Sequence, residues 1–172
     1  MNLRLLDDLG MRVRILQSLW RDSEGSALVE GALVLPFLCT LLFGVFEFSW
    51  LFYQQHMIST GIRDAARYIA RNANPTDMTI QTGAKNLATT GAIDGNTARV
   101  SGWWTQDVDI AYASVDNPVG SDGLTPFRGG AVIQIVTVST TFAVPSLGFF
   151  GLLGLKPPAF TVSHQERVTG PG

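Results

Sequence analysis

From residue 26 to residue 53 the chain reads SALVEGALVLPFLCTLLFGVFEFSWLFY, an apolar run that carries two acids, Glu30 and Glu47. Residues 31–46 hold no charge, and accepting Glu47 extends the run to Tyr53. As a helix, residues 31–53 would be roughly 34 Å long, enough for a hydrocarbon core of about 30 Å. The run is too long for the apolar region of a cleaved secretory signal, and FYQQHMIST follows it in place of an A-x-A site. Trp50, Phe52 and Tyr53 cluster where such a helix leaves the membrane. The pattern predicts one membrane-spanning helix over 26–53; the competing reading is the buried helix of a soluble domain.

The acids then need a physical reason. An ionised carboxylate at the centre of a span costs about 3 kcal/mol on insertion scales and far more on others. Glu30 stands near the start of the run, so it is either wetted by headgroups or matched to a positive partner. Glu47 lies about 25 Å further along the helix, near the opposite interface. Its expected partners are water, headgroups or a polar group on another membrane helix. Pro36 removes one helix hydrogen bond and offers a bend that would influence helix packing.

Composition narrows the remaining choices. Charged residues make up 15% of the 172, below the quarter usual in soluble domains, and the net charge is −2. No basic field points to nucleic acid. Cys39 is the sole cysteine, which rules out an intramolecular disulfide and a cysteine-rich zinc site. Arg4, Arg12, Arg14 and Arg21 precede the span, against Arg63, Arg67 and Arg71 soon after it, which favours a cytoplasmic N-terminus. The early stretch LRLLDDLGMRVRILQSLW either lies along the membrane surface or is a leader without lasting structure.

The order of these pieces carries a family signal. A polar leader ends in DSEG, small and apolar residues follow Gly25, and Glu30 occupies the fifth place after that glycine. This resembles the class III signal of type IV pilins and pseudopilins. Residues 25–71 resemble more specifically the TadE/TadG-like family, minor pseudopilins of tight-adherence (Flp-type) pilus systems. The resemblance rests on the V-E-x-A-L-V-L-P core (Val29 to Pro36), the F-G-x-x-E-F segment (Phe43 to Phe48) and the A-A-R-Y block (Ala65 to Tyr68). It implies a prepilin peptidase that cuts between Gly25 and Ser26, on the cytoplasmic side of a helix that stays in the inner membrane. It also implies other pseudopilins and an assembly platform as partners, with Glu30 recognised by that machinery and acting as a register device. No cofactor is implied. Two positions depart from the pattern: Gly31 replaces the Tyr or Phe common after the glutamate, and Ser26 replaces a large apolar residue. The alternative is an unprocessed single-pass anchor whose exported domain binds an envelope partner.

Beyond Tyr53 the helix is expected to continue as an amphipathic extension over 54–74. Met57, Ile58, Ile62, Ala65, Ala66, Ile69 and Ala70 form its apolar face, Arg63, Arg67 and Arg71 a solvated stripe, and Asn74-Pro75 its end. Residues 75–172 read as a small exported α+β domain. A helix is predicted from near Thr76 to just before Gly91, with strands over Thr97–Trp104, Val108–Ser114, Ala131–Val144 and Ala159–Val168. AVIQIVTVSTTFAV is apolar or β-branched on both faces and should be a central strand. DNPVGSDGLTPFRGG, residues 116–130, reads as a surface loop.

The connection SLGFFGLLGLKPP, residues 146–158, is almost wholly apolar but too short and glycine-rich to cross a membrane. Phe149, Phe150, Leu152 and Leu153 are therefore candidates for membrane or partner contact; the alternative is a loop folded over the end of the sheet. Enzymatic function has little support. His56 and His164 belong to no metal-spaced motif, no phosphate loop or nucleophile elbow is present, and Asp107, Asp109, Asp116 and Asp122 suit turns and sheet faces. The expected fold is α+β: a leader (1–25), a transmembrane helix (26–53), its extension (54–74), and a small pilin-like periplasmic domain with an antiparallel sheet (75–172).

Overall fold

The computed structural model describes residues 23–143 and 145–169. The leader expectations on residues 1–22, and Val144 at the end of the third expected strand, lie outside them. The chain divides into two compact units, Met1–Val45 and Phe46–Gly172. A first helix, α1, runs from Ser23 to Ala70. Among the described residues it is the one helix long and apolar enough to cross a membrane.

In the first unit α1 presents its apolar side chains outward, with Leu28, Leu33, Phe37 and Leu42 all more than half exposed. Pro36 lies inside the helix without ending it. Because proline has no N–H, the carbonyl one turn earlier loses its usual donor. The Thr40 hydroxyl donates to the Pro36 carbonyl at 2.8 Å, so the next turn carries a side-chain bond beside its backbone ladder.

In the second unit α1 is amphipathic, as its sequence predicts. Leu51, Ile58, Ile62, Ala65, Ala66 and Ile69 are buried on one side, while Arg63, Arg67 and Arg71 stay exposed. The helix stops at Ala70, four residues before Asn74. Its last carbonyls find one local and one distant donor: the Asn72 side-chain amide donates to Tyr68 at 2.6 Å, and the Thr169 N–H donates to Ala70 at 2.9 Å.

Helix α2 (Met78–Thr90) begins at Asp77, whose carboxylate accepts the Thr79 N–H at 2.7 Å. That hydrogen bond holds the Asp77 carboxyl below its ordinary pKa. Gly91, at φ 90°, closes the helix by donating its N–H to Leu87. The two helices meet where α1 has Gly61, because a Cβ there would lie 2.3 Å from the Ala88 carbonyl oxygen and 3.1 Å from the Trp103 ring. Both obstacles are backbone or fully buried groups. Replacing Gly61 with Ala is expected to cost about 1–3 kcal/mol by overpacking, read as a lower denaturation midpoint.

Three antiparallel strands complete the domain in the order β1-β2-β3: β1 Val108–Asp116, β2 Val132–Ala143 and β3 Ala159–Arg167. β2 is central, as its two-sided apolar pattern predicts. Register aligns Ile110 with Val138 and Tyr112 with Val136 on one side of β2, and Val162 with Thr140 on the other. This face joins the α1 and α2 core, whereas Thr137, Ser139, Thr141, Thr161 and Ser163 occupy the other.

The expected strand over Thr97–Trp104 is absent. That segment is a chain of turns whose hydrogen bonds run to the end of α2 and within itself: Arg99 N–H to Thr89 at 2.7 Å, and Trp103 N–H to Val100 at 3.1 Å. Val100 and the two tryptophans favour strand locally. Burial of Trp103 against Gly61 prevails instead, aided by a left-handed turn at Gly102, φ 80°. The 116–130 loop is organised around the fully buried Asn117. Its amide donates to the carbonyls of Phe127 and Gly130, and its oxygen accepts the Phe127 N–H. A four-residue helix, α3 (Phe149–Leu152), lies in the β2–β3 connection.

Candidate functional site

The buried polar groups of α1 converge on that connection. Glu47 and Gln54 stand seven residues apart, two turns along one face, with the buried Leu51 between them. In a helix otherwise lined with apolar residues at this level, both are almost completely enclosed, 1% and 3% exposed. The Gln54 side-chain amide donates to the Pro145 carbonyl at 2.9 Å. Leu147 and Phe149 donate their N–H groups to the two oxygens of Glu47, at 2.9 and 3.3 Å.

Together these contacts form a polar clasp that fixes residues 145–149 against α1. The carboxylate stands at the start of α3, where backbone N–H groups have no partner within the helix. A left-handed Gly148, φ 113°, turns the chain so that the N–H groups on either side of it reach the same carboxylate. Next to the clasp, Phe48 and Phe150 meet edge to face with ring centres 5.8 Å apart.

The clasp revises the sequence reading of Glu47. Its oxygens accept backbone N–H groups of its own chain, partners that the sequence reading did not include. Sequence distance explains why this escaped notice, since the donors lie a hundred residues away. Gln54 was missed as well, although a second buried-side polar residue at i+7 from Glu47 was available as a signal. Of the four candidate contact residues, Phe150 turns inward at 8% exposure and Phe149 is half-buried. Leu152 and Leu153 face outward at 78% and 52%.

The other candidates lie in the first unit. Gly25, Ser26, Glu30 and Pro36 all occupy exposed positions of α1. A Cβ at Gly25 or at Gly31 would meet nothing within 4 Å. Among the described residues, Glu30 has no hydrogen-bond or ion-pair partner. Thus the two glutamates differ in kind: Glu47 is satisfied within the fold, and Glu30 is open.

The histidines are separated as well. His56 is exposed, whereas His164 is half-buried and its Nε2 lies 3.1 Å from Glu166 Oε1. Arg67 approaches the same oxygen at 3.5 Å, tying the exposed stripe of α1 to β3. No group of three or more metal-ligating side chains occurs among the described residues.

Residues 25–67 match the family model described as TadE-like protein. No curated protein and no solved structure matches the chain. The matched stretch takes in Gly25, Glu30, Pro36, Glu47 and Gln54, and ends at Arg67. The similarity to the TadE-like family thus covers the apolar run of α1 and most of its amphipathic extension, about a quarter of the chain.

Proposed function

We propose that the chain is a minor pseudopilin or pilus-assembly protein of a tight-adherence pilus or secretion system. In this reading α1 anchors it in the bacterial inner membrane, with the leader cytoplasmic and the β-sheet domain periplasmic. A prepilin peptidase removes the leader after Gly25, and the chain then works with other pseudopilins and the assembly platform. The observation that carries the reading is the TadE-like match beginning at Gly25, with Glu30 exposed on an apolar helix five residues later and without a hydrogen-bond or ion-pair partner among the described residues.

Cleavage supplies what Glu30 lacks. A free amine at Ser26 stands four residues before the carboxylate, the spacing of helix neighbours. Ammonium and carboxylate can neutralise each other within one chain or between adjacent chains, and in a dry environment an unpaired charge costs far more than a paired one. Glu30 then favours the assembled register over the isolated helix. Glu47, by contrast, accepts a backbone N–H of its own chain at each carboxylate oxygen.

Intact-mass and N-terminal peptide analysis of the chain from its native membrane tests the proposal. The expected product begins at Ser26 and gives way to the full-length form when the prepilin peptidase is removed. Glu30→Ala is expected to reduce co-purification with the other pilus components by at least tenfold, a loss of about 1.4 kcal/mol. A chain that still begins at Met1 in the presence of the peptidase overturns processing and favours the unprocessed anchor with an envelope partner.

A further inference from the structure

The β2–β3 connection leaves an apolar surface that the domain core does not use. Phe150 enters the core, but Leu152, Leu153 and Leu155 are exposed at 78%, 52% and 55%. Connections usually carry polar residues over wet surfaces, so three exposed leucines within four residues need an apolar neighbour. The clasp fixes where they lie, because Glu47 and Gln54 hold residues 145–149 beside the final turns of the apolar run.

Those turns have the character of a membrane boundary. Phe48 and Phe52 are exposed, and Trp50 stacks on Tyr53 with ring centres 5.8 Å apart. Tryptophan and tyrosine at the end of a span settle among headgroups. Lys156 follows the leucines directly and is exposed. Its aliphatic stem can lie along apolar groups while its ammonium reaches lipid phosphate.

We propose that Leu152, Leu153 and Leu155 insert into the headgroup–acyl boundary of the bilayer that α1 crosses, on the side of the β-sheet domain. The connection is then a second membrane contact that does not span. The surface is continuous with helix turns that already belong to the lipid boundary, so a covering protein would have to displace lipid from both. Glycines at 148, 151 and 154, two of them at positive φ, let so short a segment turn back toward β3. The inference rests on α1 being a membrane span.

Site-directed spin labelling of the full-length chain in phosphatidylethanolamine–phosphatidylglycerol vesicles tests it. Cys39→Ser supplies the background for single labels at Leu153→Cys and, as a second reporter, Leu155→Cys. The native Cys39 reports on the span, and Val119→Cys in the 116–130 loop reports on water. Collisions with oxygen, which concentrates in lipid, are compared with collisions with a water-soluble nickel chelate.

The expected result is a deep Cys39 label, a water-exposed Val119 label, and Leu153 and Leu155 labels shifted toward oxygen with loss of nickel collisions. Leu153 and Leu155 labels as nickel-accessible as Val119, beside a deep Cys39, overturn the insertion and leave the span intact. Broadening between Leu153 labels that vanishes on dilution with unlabelled chain shows a second copy on the surface, and also overturns it. A nickel-accessible Cys39 overturns the span and the insertion together.

Discussion

Replacing Trp103 with alanine is expected to remove about 3–5 kcal/mol from the β-sheet domain, the range for deleting a buried aromatic side chain. Small domains have only about 5–15 kcal/mol in total, so the variant should be largely unfolded at modest denaturant. Trp103 is completely buried and closes over Gly61 at the crossing of α1 and α2. Its indole Nε1–H donates to the Thr140 hydroxyl at 3.1 Å, and that hydroxyl donates to the Asp107 carbonyl at 2.6 Å. One side chain therefore joins both helices to the central strand. Truncation leaves a cavity at that junction and deprives Thr140 of a donor. Trp103→Phe keeps most of the packing and loses the indole N–H, so its cost should be smaller. Denaturant titration of the detergent-solubilised chain checks the order: wild type above Phe, with Ala far below. An alanine variant within 1 kcal/mol of wild type would show that the region is not the keystone of the core.

The second large effect concerns the clasp. Glu47→Ala removes the acceptor for the Leu147 and Phe149 N–H groups; both bonds are part-buried, so each loss should cost at most about 1–3 kcal/mol, the range for a buried donor left without a partner. The damage should be local. The sheet keeps its register, while residues 145–155 lose their attachment to α1 and become open to protease and to amide exchange. Glu47→Gln retains one acceptor oxygen and should fall between. Hydrogen-exchange mass spectrometry on peptides covering the connection separates these cases. Equal protection of Leu147–Leu153 in wild type and Glu47→Ala would mean that the carboxylate holds nothing in place.

Much of the fold follows from patterns confined to neighbouring residues. The apolar stripe of α1, the Asp77 and Gly91 ends of α2, and the two-sided β2 all depend on local periodicity or turn chemistry, so the chain states them openly. Thr97–Trp104 misleads because its local preference for strand is outweighed by burying Trp103 in a helix crossing formed elsewhere. Asn117 likewise sits in a stretch that reads as loose loop, and only the fold shows that it holds three backbone groups. At the candidate sites, Gly25, Ser26 and Glu30 form a motif within six residues, so it can be proposed from the sequence alone. Glu47 drew attention as an acid in an apolar run. Its partners, however, are backbone N–H groups a hundred residues on, and no residue type marks a backbone donor in advance.

Just beyond β3 the chain returns to the end of the helix, where the Thr169 N–H reaches the Ala70 carbonyl. The clasp fastens the start of the same return path at Glu47, and Arg67 meets Glu166 near its finish. From Glu47 to Ala70 the helix advances roughly 35 Å, and the nine residues of β3 extend about 30 Å. The segment from the β2–β3 connection to Thr169 is thus tied to the helix at its start, through residues 145–149, and at its finish, through Glu166 and Thr169. A pull on the helix along its axis at Glu47 loads these ties together, so they share the strain and do not peel apart one at a time. Under load, such a domain is carried as one body with the second half of its helix and does not unravel from it.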